Sequence, residues 1–234
     1  MKQNGEIFFR KAQPLDIENI VNLELDIWGK EGANKNKISN RINTFPRGNL
    51  VADWNGSIVG YLSYEHVDDK RVGGAFTWAQ ITDNGTMCNS HVKNGEYAYG
   101  VNLTVGKKAQ CMNLGEALML YGMSDVIEDN KKGSFLGSRM PGFRNYSGRH
   151  PNVTADEYMR LKWRGRVRDS ELRFYESLGF QVIRVLPDYF PDPESLDCGV
   201  LLFFANNLYM SEERELIAKA MKTEAKGMIK YGRR

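Results

Sequence analysis

The sequence contains few cysteines, and their arrangement does not suit a disulfide framework or a structural zinc site. Cys88, Cys111 and Cys198 are odd in number, widely spaced and outside any CxxC pair, whereas both kinds of site need paired cysteines. Cys88 and His91 have the separation of two metal ligands, but a single pair without further ligands does not hold zinc. We therefore expect reduced thiols and no metal site.

Long hydrophobic runs are also absent. The longest, residues 200–205, is far shorter than the roughly 20 apolar residues that span a bilayer. Residues 1–6 lack the apolar segment and the small-residue cleavage site of a secretory signal. A mean hydropathy of -0.50 and 26% charged residues are typical of a soluble protein. We expect a cytoplasmic protein that does not bind membranes.

Charge of one sign is not in large excess. The net charge is +3 over 234 residues, far below that of a typical nucleic-acid-binding domain, so no nucleic-acid partner is expected. Two basic clusters are expected to be solvated surfaces rather than binding patches. They comprise Arg160, Lys162, Arg164, Arg166 and Arg168, and a C-terminal tail of Lys219, Lys222, Lys226, Lys230, Arg233 and Arg234.

Several familiar site motifs are missing as well. The chain has no GxxxxGK[ST] phosphate loop and no GxGxxG dinucleotide fingerprint. Ser138 lacks the GxSxG context of a hydrolase nucleophile. These absences exclude the commonest nucleotide-binding loops and a serine-hydrolase elbow.

What is present is a series of helical and strand patterns, with enough hydrophobic residues, 41%, to form one core. The patterns predict an α/β fold of the α+β kind, in which one mixed sheet carries helices on both faces. One domain is expected over residues 1–208, and a helical extension with the basic tail over residues 209–234. The predicted helices are residues 17–27, 38–45, 113–128, 156–164 and 170–178, and the predicted strands are residues 7–10, 50–54, 57–64, 97–105, 134–138, 180–186 and 199–205.

Local signals refine these elements. Asn55-Gly56 predicts a type I′ hairpin turn. Thr154 and Glu157 fit a capping box at the start of a helix that Gly165 is expected to close. Residues 65–96 are expected to be irregular with a strand around residues 75–81, and Ser211 is expected to cap the C-terminal helix.

The clearest strand, residues 97–105, leads into a turn that can bind an anion. Bulky residues alternate with small or polar ones along the strand. The turn at residues 106–113 precedes a helix, whose free N–H groups and dipole favour a phosphate. Lys107 and Lys108 add positive charge. Taken alone, such a strand, turn and helix is more often plain architecture than a ligand site.

A second motif lies further along the chain, in Phe174-Tyr175-Glu176-Ser177-Leu178-Gly179-Phe180. A helix ending in FYxxLGF, after a strand, turn and helix with Q-x-x-x-x-G, resembles the GNAT superfamily of acyl-coenzyme A N-acyltransferases. The family's pyrophosphate motif, Q/R-x-x-G-x-G/A, falls here on Gln110, Asn113 and Gly115. Asn113 stands where the family usually has glycine, and asparagine also tolerates unusual backbone angles. The resemblance covers residues 7–205.

This resemblance implies a GNAT-like fold that binds acetyl-coenzyme A or another acyl-coenzyme A. The pantetheine arm is expected to add like a strand beside the central strand, with the pyrophosphate in the turn that follows. Arg168 stands where the family frequently has an asparagine that contacts the cofactor. The cofactor-binding residues implied are Leu103, Thr104, Val105, Gln110, Cys111, Met112, Asn113, Leu114, Gly115 and Glu116.

The resemblance also implies catalytic roles. A tyrosine at the position of Tyr175 usually protonates the departing thiolate, and a phenol with an ordinary pKa of about 10 is protonated at neutral pH. The other interpretation of Tyr175 is a core residue. The amine needs a base, for which Glu96 and His91 are candidates, although each also suits a solvated surface. Trp28 and Ser138 are assigned to the acceptor pocket, and Trp28 equally suits helix-end packing.

The relatives within the superfamily leave the acceptor open. Residues 78–85, 138–143 and 185–192 resemble GNAT domains fused to bacterial carbon-nitrogen hydrolases, and a similar pattern occurs in GNAT-like loading domains of polyketide synthases. The first hypothesis is an acetyl-coenzyme A dependent N-acyltransferase that acts by direct attack of a small-molecule primary amine.

Two alternatives follow from the same relatives and motifs. One is an acyltransferase or decarboxylase that works with a phosphopantetheinyl acyl carrier protein; loading-domain relatives usually carry histidine where Tyr175 stands, which counts against decarboxylation. The other is a non-catalytic acyl-coenzyme A binding module, suggested by the altered position Asn113. The C-terminal helix also leaves a homodimer open.

Overall fold

The computed structural model describes residues 5–231. Residues 1–4, where no secretory signal was expected, lie outside the described residues, as do Arg233 and Arg234 of the basic tail. Within the described part, no helix has both the length and the apolar character needed to cross a membrane.

The strands and helices follow one another in mixed order. The strands are β1 (Ile7–Lys11), β2 (Asn49–Trp54), β3 (Ser57–Val67), β4 (Tyr97–Val105), β5 (Gly133–Ser138), β6 (Lys162–Trp163), β7 (Arg166–Val167), β8 (Gln181–Leu186) and β9 (Gly199–Ala205). The helices are α1 (Ile17–Trp28), α2 (Lys35–Thr44), α3 (Asp69–Gly73), α4 (Trp78–Ile81), α5 (Leu114–Glu128), α6 (Phe143–Ser147), α7 (Ala155–Arg160), α8 (Ser170–Ser177) and α9 (Arg214–Gly227).

One seven-stranded sheet organises the fold, in the order β1-β2-β3-β4-β5-β9-β8. β4 and β5 run parallel, and the other neighbouring strands of this sheet run antiparallel. The strands β6 and β7 form a separate small hairpin. This mixed sheet confirms the predicted fold class.

Helices pack on both faces because successive residues of a strand point to opposite sides. In β2, Val51 joins a core with Ile20 of α1 and Ile38 of α2. Its neighbour Leu50 packs on the other side with Leu118 of α5. One face of the sheet therefore carries α1 and α2, and the other face carries α5. β4 runs at the centre of the sheet between these two layers.

The turn between β2 and β3 has the predicted form. Asn55 and Gly56 have φ values of 53° and 81°, the positive angles that a type I′ turn requires at both central residues. The Asp53 carboxylate also accepts the backbone N–H of Gly56 at 2.8 Å. The hairpin prediction is confirmed.

The predicted strand around residues 75–81 is wrong, because these residues contain the short helix α4. Thr77 and Gln80 form a capping box at its start: the Thr77 hydroxyl accepts the Gln80 N–H at 3.1 Å, and the Gln80 side chain accepts the Thr77 N–H at 2.9 Å. These reciprocal bonds satisfy two backbone N–H groups, which in a strand would need acceptors on a neighbouring strand.

The helix predicted over residues 156–164 is shorter than expected. The capping box of Thr154 and Glu157 is present, but α7 ends at Arg160. Arg164 and Gly165, with φ values of 51° and 78°, then form the turn of the β6–β7 hairpin. The glycine therefore turns a hairpin and does not close the helix.

The C-terminal helix α9 packs along α5 through ion pairs at a buried carboxylate. Lys222 Nζ lies 2.9 Å from Asp125 Oδ1, and Lys11 Nζ lies 2.6 Å from Asp125 Oδ2. Because Asp125 is buried, these two cations compensate a charge that would otherwise destabilise the fold. The helix begins after Glu213 and not at Ser211, whose Oγ accepts the Glu213 N–H at 3.2 Å.

Candidate active site

A cavity opens where the parallel strands β4 and β5 diverge. β4 pairs with β5 only over residues 97–100, so along residues 101–105 no strand of the described chain pairs with β4 on that side. The divergence begins at a β-bulge: Ser63 pairs with Asn102 and Tyr64 with Gly100, which leaves Val101 extra. The Trp78 indole N–H donates to the Val101 carbonyl at 3.1 Å. Apart from the carbonyls of Val101 and Val105, which accept from Trp78 and Gln110, the β4 edge beyond Gly100 is open to pair with a ligand.

The cavity contains about 1190 Å³ of space between protein atoms, counting its open mouth, which is ample for a small-molecule site. Its wall combines apolar side chains with several charged ones. The residues used below are Glu24 and Trp28 of α1, Lys37 and Arg41 of α2, Trp78 of α4, residues 100–103 of β4, Arg139 after β5, and Glu171 and Tyr175 of α8.

Tyr175 lines this cavity. The ring packs against Phe174 and Phe180, with centroids 5.0 Å and 5.8 Å away. Burial, reinforced by the negative charge of Glu171, raises the pKa of the Tyr175 hydroxyl above its ordinary value. The phenol therefore keeps its proton throughout the physiological pH range and is a hydrogen-bond donor there.

Glu171 lies one helical turn before Tyr175 on the same face of α8. Its carboxylate accepts from Ser138 Oγ at 3.5 Å and lies 3.4 Å from Arg139 Nη2. Both contacts are long, and burial raises the pKa of the Glu171 carboxyl above its ordinary value while Arg139 acts in the opposite direction. A raised pKa brings a carboxylate closer to what a general base at neutral pH requires.

A polar network fixes α1 against β4 at the edge of the cavity. The Thr104 hydroxyl donates to Glu24 Oε1, and the Asn102 amide donates to the same oxygen at 3.0 Å. The Trp28 indole N–H donates to Thr104 Oγ1 at 2.7 Å, and the Ala33 N–H donates to Glu24 Oε2 at 3.1 Å. Glu24 is 1% exposed, so these bonds replace the water that its carboxylate lost on folding.

The predicted pyrophosphate turn directly follows the end of β4. Residues 107–112 form a 3-10 turn, and Asn113 enters α5 with φ 57° in the left-handed region. The first N–H groups of α5, beginning at Leu114, have no partner within the helix. A Cβ placed on Gly115 would lie 3.6 Å from the Phe174 ring and 3.8 Å from Val105, so this helix end lies beside both β4 and α8.

The other predicted cofactor residues differ in how they face this turn. Gln110 Nε2 donates to the Val105 carbonyl at 3.5 Å, and Cys111 is exposed. Met112 is buried in the core, with its carbonyl accepting the Lys230 N–H at 2.9 Å. Lys107 Nζ forms an ion pair with Asp26 Oδ1 at 2.9 Å.

The structure brings some of the other predicted site residues together and separates the rest. Tyr175, Trp28 and Leu103 line the cavity. Ser138 is buried behind the wall and contacts it through Glu171. Glu96 is outside the lining and forms an ion pair with Lys132.

His91 also lies outside the cavity lining, in a buried cluster with β3. Its ring stacks on Phe45 with centroids 4.4 Å apart, and its Nδ1 accepts a hydrogen bond from the backbone N–H of His66 at 3.2 Å. Burial lowers the pKa of His91 and lowers that of His66 to about 3. On the same strand, burial raises the pKa of Glu65 to about 8, although the Ser90 hydroxyl donates to its carboxyl at 2.6 Å.

Sequence reasoning missed Glu171, Glu24 and Arg139. Helical spacing could have found Glu171, because a residue four positions before Tyr175 lies on the same helix face. Nothing local marks Glu24 or Arg139, since they reach the cavity through the packing of α1 and the segment after β5 against β4.

Comparison with known proteins gives two related sequences from Bacillus subtilis (strain 168). The chain is 30% identical over 211 residues to the uncharacterized N-acetyltransferase YkwB, covering 86% of this chain and 89% of YkwB. It is 27% identical over 222 residues to the probable hydrolase YhcX, covering 92% of this chain but only 42% of YhcX. No family model matches the chain.

Two solved structures share the fold. The loading GNATL domain of CurA from Lyngbya majuscula has a TM-score of 0.76 at 21% identity, covering 86% of this chain and 98% of that domain. The GphF GNAT-like decarboxylase in complex with isobutyryl-CoA has a TM-score of 0.73 at 20% identity, covering 86% of this chain and 100% of that one.

The mixed sheet that opens between two parallel strands has the fold of these GNAT-like domains. Similarity to YkwB over most of both chains identifies the family. The chain belongs to the GNAT superfamily, as its sequence motifs predicted.

The pKa of Glu65 is raised and that of His66 is lowered, and these opposite shifts predict that the free energy of unfolding depends on pH. Glu65 has a folded-state pKa of about 8 against an ordinary 4.5, so the free energy of unfolding falls as pH rises through that interval. His66 has a folded-state pKa of about 3 against 6.5, so stability is lost as pH falls below 6.5. Of these two groups, only Glu65 changes stability between pH 6.5 and 8.

Glu65→Gln should therefore remove the Glu65 contribution to the loss of stability between pH 6.5 and 8. It should raise the free energy of unfolding at the upper pH by a few kcal/mol, on the order of the shift in pKa. Urea unfolding at both pH values measures this. Glu18→Gln, at an exposed ion pair with Lys35, serves as the control. Equal pH slopes in the wild type and Glu65→Gln would contradict the assignment.

Proposed function

We propose that the protein binds an acyl-coenzyme A, with acetyl-coenzyme A as the expected donor, and transfers the acyl group to a primary amine by direct attack. The observation that carries this proposal is the placement of three features around the open edge of β4. They are that unpaired edge over residues 101–105, the N-terminal turn of α5 beside Val105 and Phe174, and Tyr175 on the wall of the cavity.

The cofactor fits these features by chemistry. The amide groups of a pantetheine arm can pair with the free β4 edge as an added strand would. A pyrophosphate is favoured by the N–H groups at Leu114, Gly115 and Glu116 and by the helix dipole. The isobutyryl-CoA complex of GphF, a protein of the same fold, supports an acyl-coenzyme A as the ligand class.

The transfer requires one proton to leave the amine and one to reach the sulfur. The amine nitrogen forms a bond to the thioester carbonyl carbon, and the carbon–sulfur bond breaks. Tyr175 donates its proton to the departing sulfur, and its raised pKa keeps that proton on oxygen until charge develops there. Glu171 accepts the proton from nitrogen, so an amide and a free thiol are the products.

Glu171 is favoured over Glu96 and His91 as the base because it alone of the three lines the cavity. It also lies one turn from Tyr175, so the two proton-transfer groups share one rigid helix face. His91 lies elsewhere, because its ring stacks on Phe45 and its Nδ1 accepts from the backbone of His66 in β3.

A second candidate function is acyl transfer or decarboxylation with a phosphopantetheinyl carrier protein as partner. The high structural similarity to the CurA loading domain and to the GphF decarboxylase favours it. Incubation with malonyl-coenzyme A and a carrier protein, followed by intact mass, distinguishes it. An acyl group on the carrier would support this second function. Release of free thiol with a free amine would support acyl transfer to an amine.

Tyr175→Phe should lower kcat by on the order of 100-fold, because the sulfur then leaves without a proton donor. Binding of coenzyme A, measured by calorimetry, should change less than about twofold because the β4 edge and the α5 turn remain intact. The rate is followed as free thiol released from acetyl-coenzyme A with a panel of amines. An unchanged kcat would remove Tyr175 from the mechanism, and binding without any thiol release by the wild type would indicate a non-catalytic binding module.

Glu171→Gln should lower kcat/KM by on the order of 100-fold and remove the acidic limb of its pH profile. The midpoint of this limb is expected at a pH above the ordinary carboxyl pKa, because burial raises the pKa of Glu171. The profile is measured with an amine whose own pKa lies outside the measured range. Glu96→Gln is compared in parallel, and a loss confined to that variant would assign the base to Glu96.

A further inference from the structure

Two cations on α2 line the cavity without a carboxylate partner. Lys37 and Arg41 lie one helical turn apart on the same face of the helix. Within residues 5–231, neither side chain has a carboxylate oxygen within the 4.0 Å of an ion pair. Arg41 is only 1% exposed, and a buried cation without a counterion is unfavourable.

The contacts of Arg41 are to neutral acceptors. Its Nε donates to the Gly85 carbonyl at 2.7 Å, and its Nη1 donates weakly to Ser63 Oγ at 3.4 Å. The carboxyl of Glu65, which is close enough to sense the charge of Arg41, has a pKa of about 8 and is mainly protonated at neutral pH. Arg41 therefore has no direct ion-pair partner among the described residues.

The side chains around these cations are held in place. Lys37 Nζ lies over the Trp78 ring, 5.7 Å from its centroid. A Cβ on Gly85 would lie 2.4 Å from Trp78 Cη2 and 3.0 Å from Arg41 Nη2, so Trp78 and Arg41 close tightly around Gly85. Burial and the nearby charge of Arg41 lower the pKa of Lys37, while the charge of Glu24 acts in the opposite direction.

The third cation of the cavity is different. Arg139 lies 3.4 Å from a Glu171 oxygen and 3.8 Å from an Asp192 oxygen, so its charge is compensated. Glu24 and Glu31 also line the cavity and give it negative charge that suits an ammonium group. The cavity thus combines acidic groups that suit an amine with a pair of cations on α2 that have no ion-pair partner among the described residues.

We infer that Lys37 and Arg41 bind a carboxylate or phosphate group that the acceptor amine carries, so that the acceptor is an amino-acid-like or phosphorylated amine. This inference rests on the proposed acyl transfer to an amine. Charge-assisted hydrogen bonds from an ammonium and a guanidinium to such an anion are stronger than neutral ones, and they would supply the missing counterion.

The test uses pairs of acceptors that differ in the anionic group: phenylalanine and phenethylamine, lysine and cadaverine, phosphoethanolamine and ethanolamine. With acetyl-coenzyme A as donor, kcat/KM for the anionic member of at least one pair should exceed that of its partner by on the order of tenfold or more. Lys37→Met should remove most of that preference by raising KM, and should change the neutral amine less than about twofold. Lys35→Met, on the same helix at an exposed ion pair, should leave the preference intact.

The same pairs are titrated by calorimetry in the presence of coenzyme A, which decides the inference independently of turnover. Binding confined to anionic amines and lost in Lys37→Met would support the anion site even if no transfer occurred, in which case only the proposed function would fail. Equal use and equal binding of both members of every pair, or equal losses for both in Lys37→Met, would overturn the inference. A preference for malonyl-coenzyme A over acetyl-coenzyme A that Lys37→Met removes would place the anion on the acyl group and also overturn it.

Discussion

The separation of β4 from β5 beyond Gly100 is the constraint on which the rest of the site depends. Because the bulge at Val101 turns β4 away from its parallel neighbour, backbone hydrogen-bonding groups remain free at the centre of the sheet. Unpaired backbone groups are costly when they are shielded from water, so an open centre is stable only if solvent or a ligand pairs with it. The bulge and the Trp78 bond to its carbonyl keep the opening in a fixed shape.

Two polar arrangements on either side of this opening position the side chains around it. On the α1 side, the buried Glu24 joins Thr104, Asn102 and Trp28 in one network, which ties the helix to β4. On the α8 side, the carboxylate of Glu171 is held only loosely. Rigid groups therefore border the predicted path of the cofactor, whereas the carboxylate proposed to take up a proton is held by two long contacts only.

The sequence was sufficient to predict most elements of the sheet and the family, because alternation, turn residues and the FYxxLGF motif are local signals. It failed over residues 75–81, where the capping box of Thr77 and Gln80 outweighed an apolar pattern too short to have a clear period. It also could not predict that Glu171, Lys37 and Arg41 share a cavity. Their proximity depends on how two separate helices, α2 and α8, pack against the sheet, which no single stretch of sequence encodes.

Amide hydrogen exchange with and without coenzyme A tests the central claim most directly. If the cofactor pairs with β4 and its pyrophosphate lies at α5, the amides of residues 101–105 and of Leu114, Gly115 and Glu116 should be protected on binding. The outer strands β1 and β8 should exchange at the same rates in both samples. Protection that spared residues 101–105 while coenzyme A was bound would show that the ligand does not use the free edge of β4, and would contradict the account.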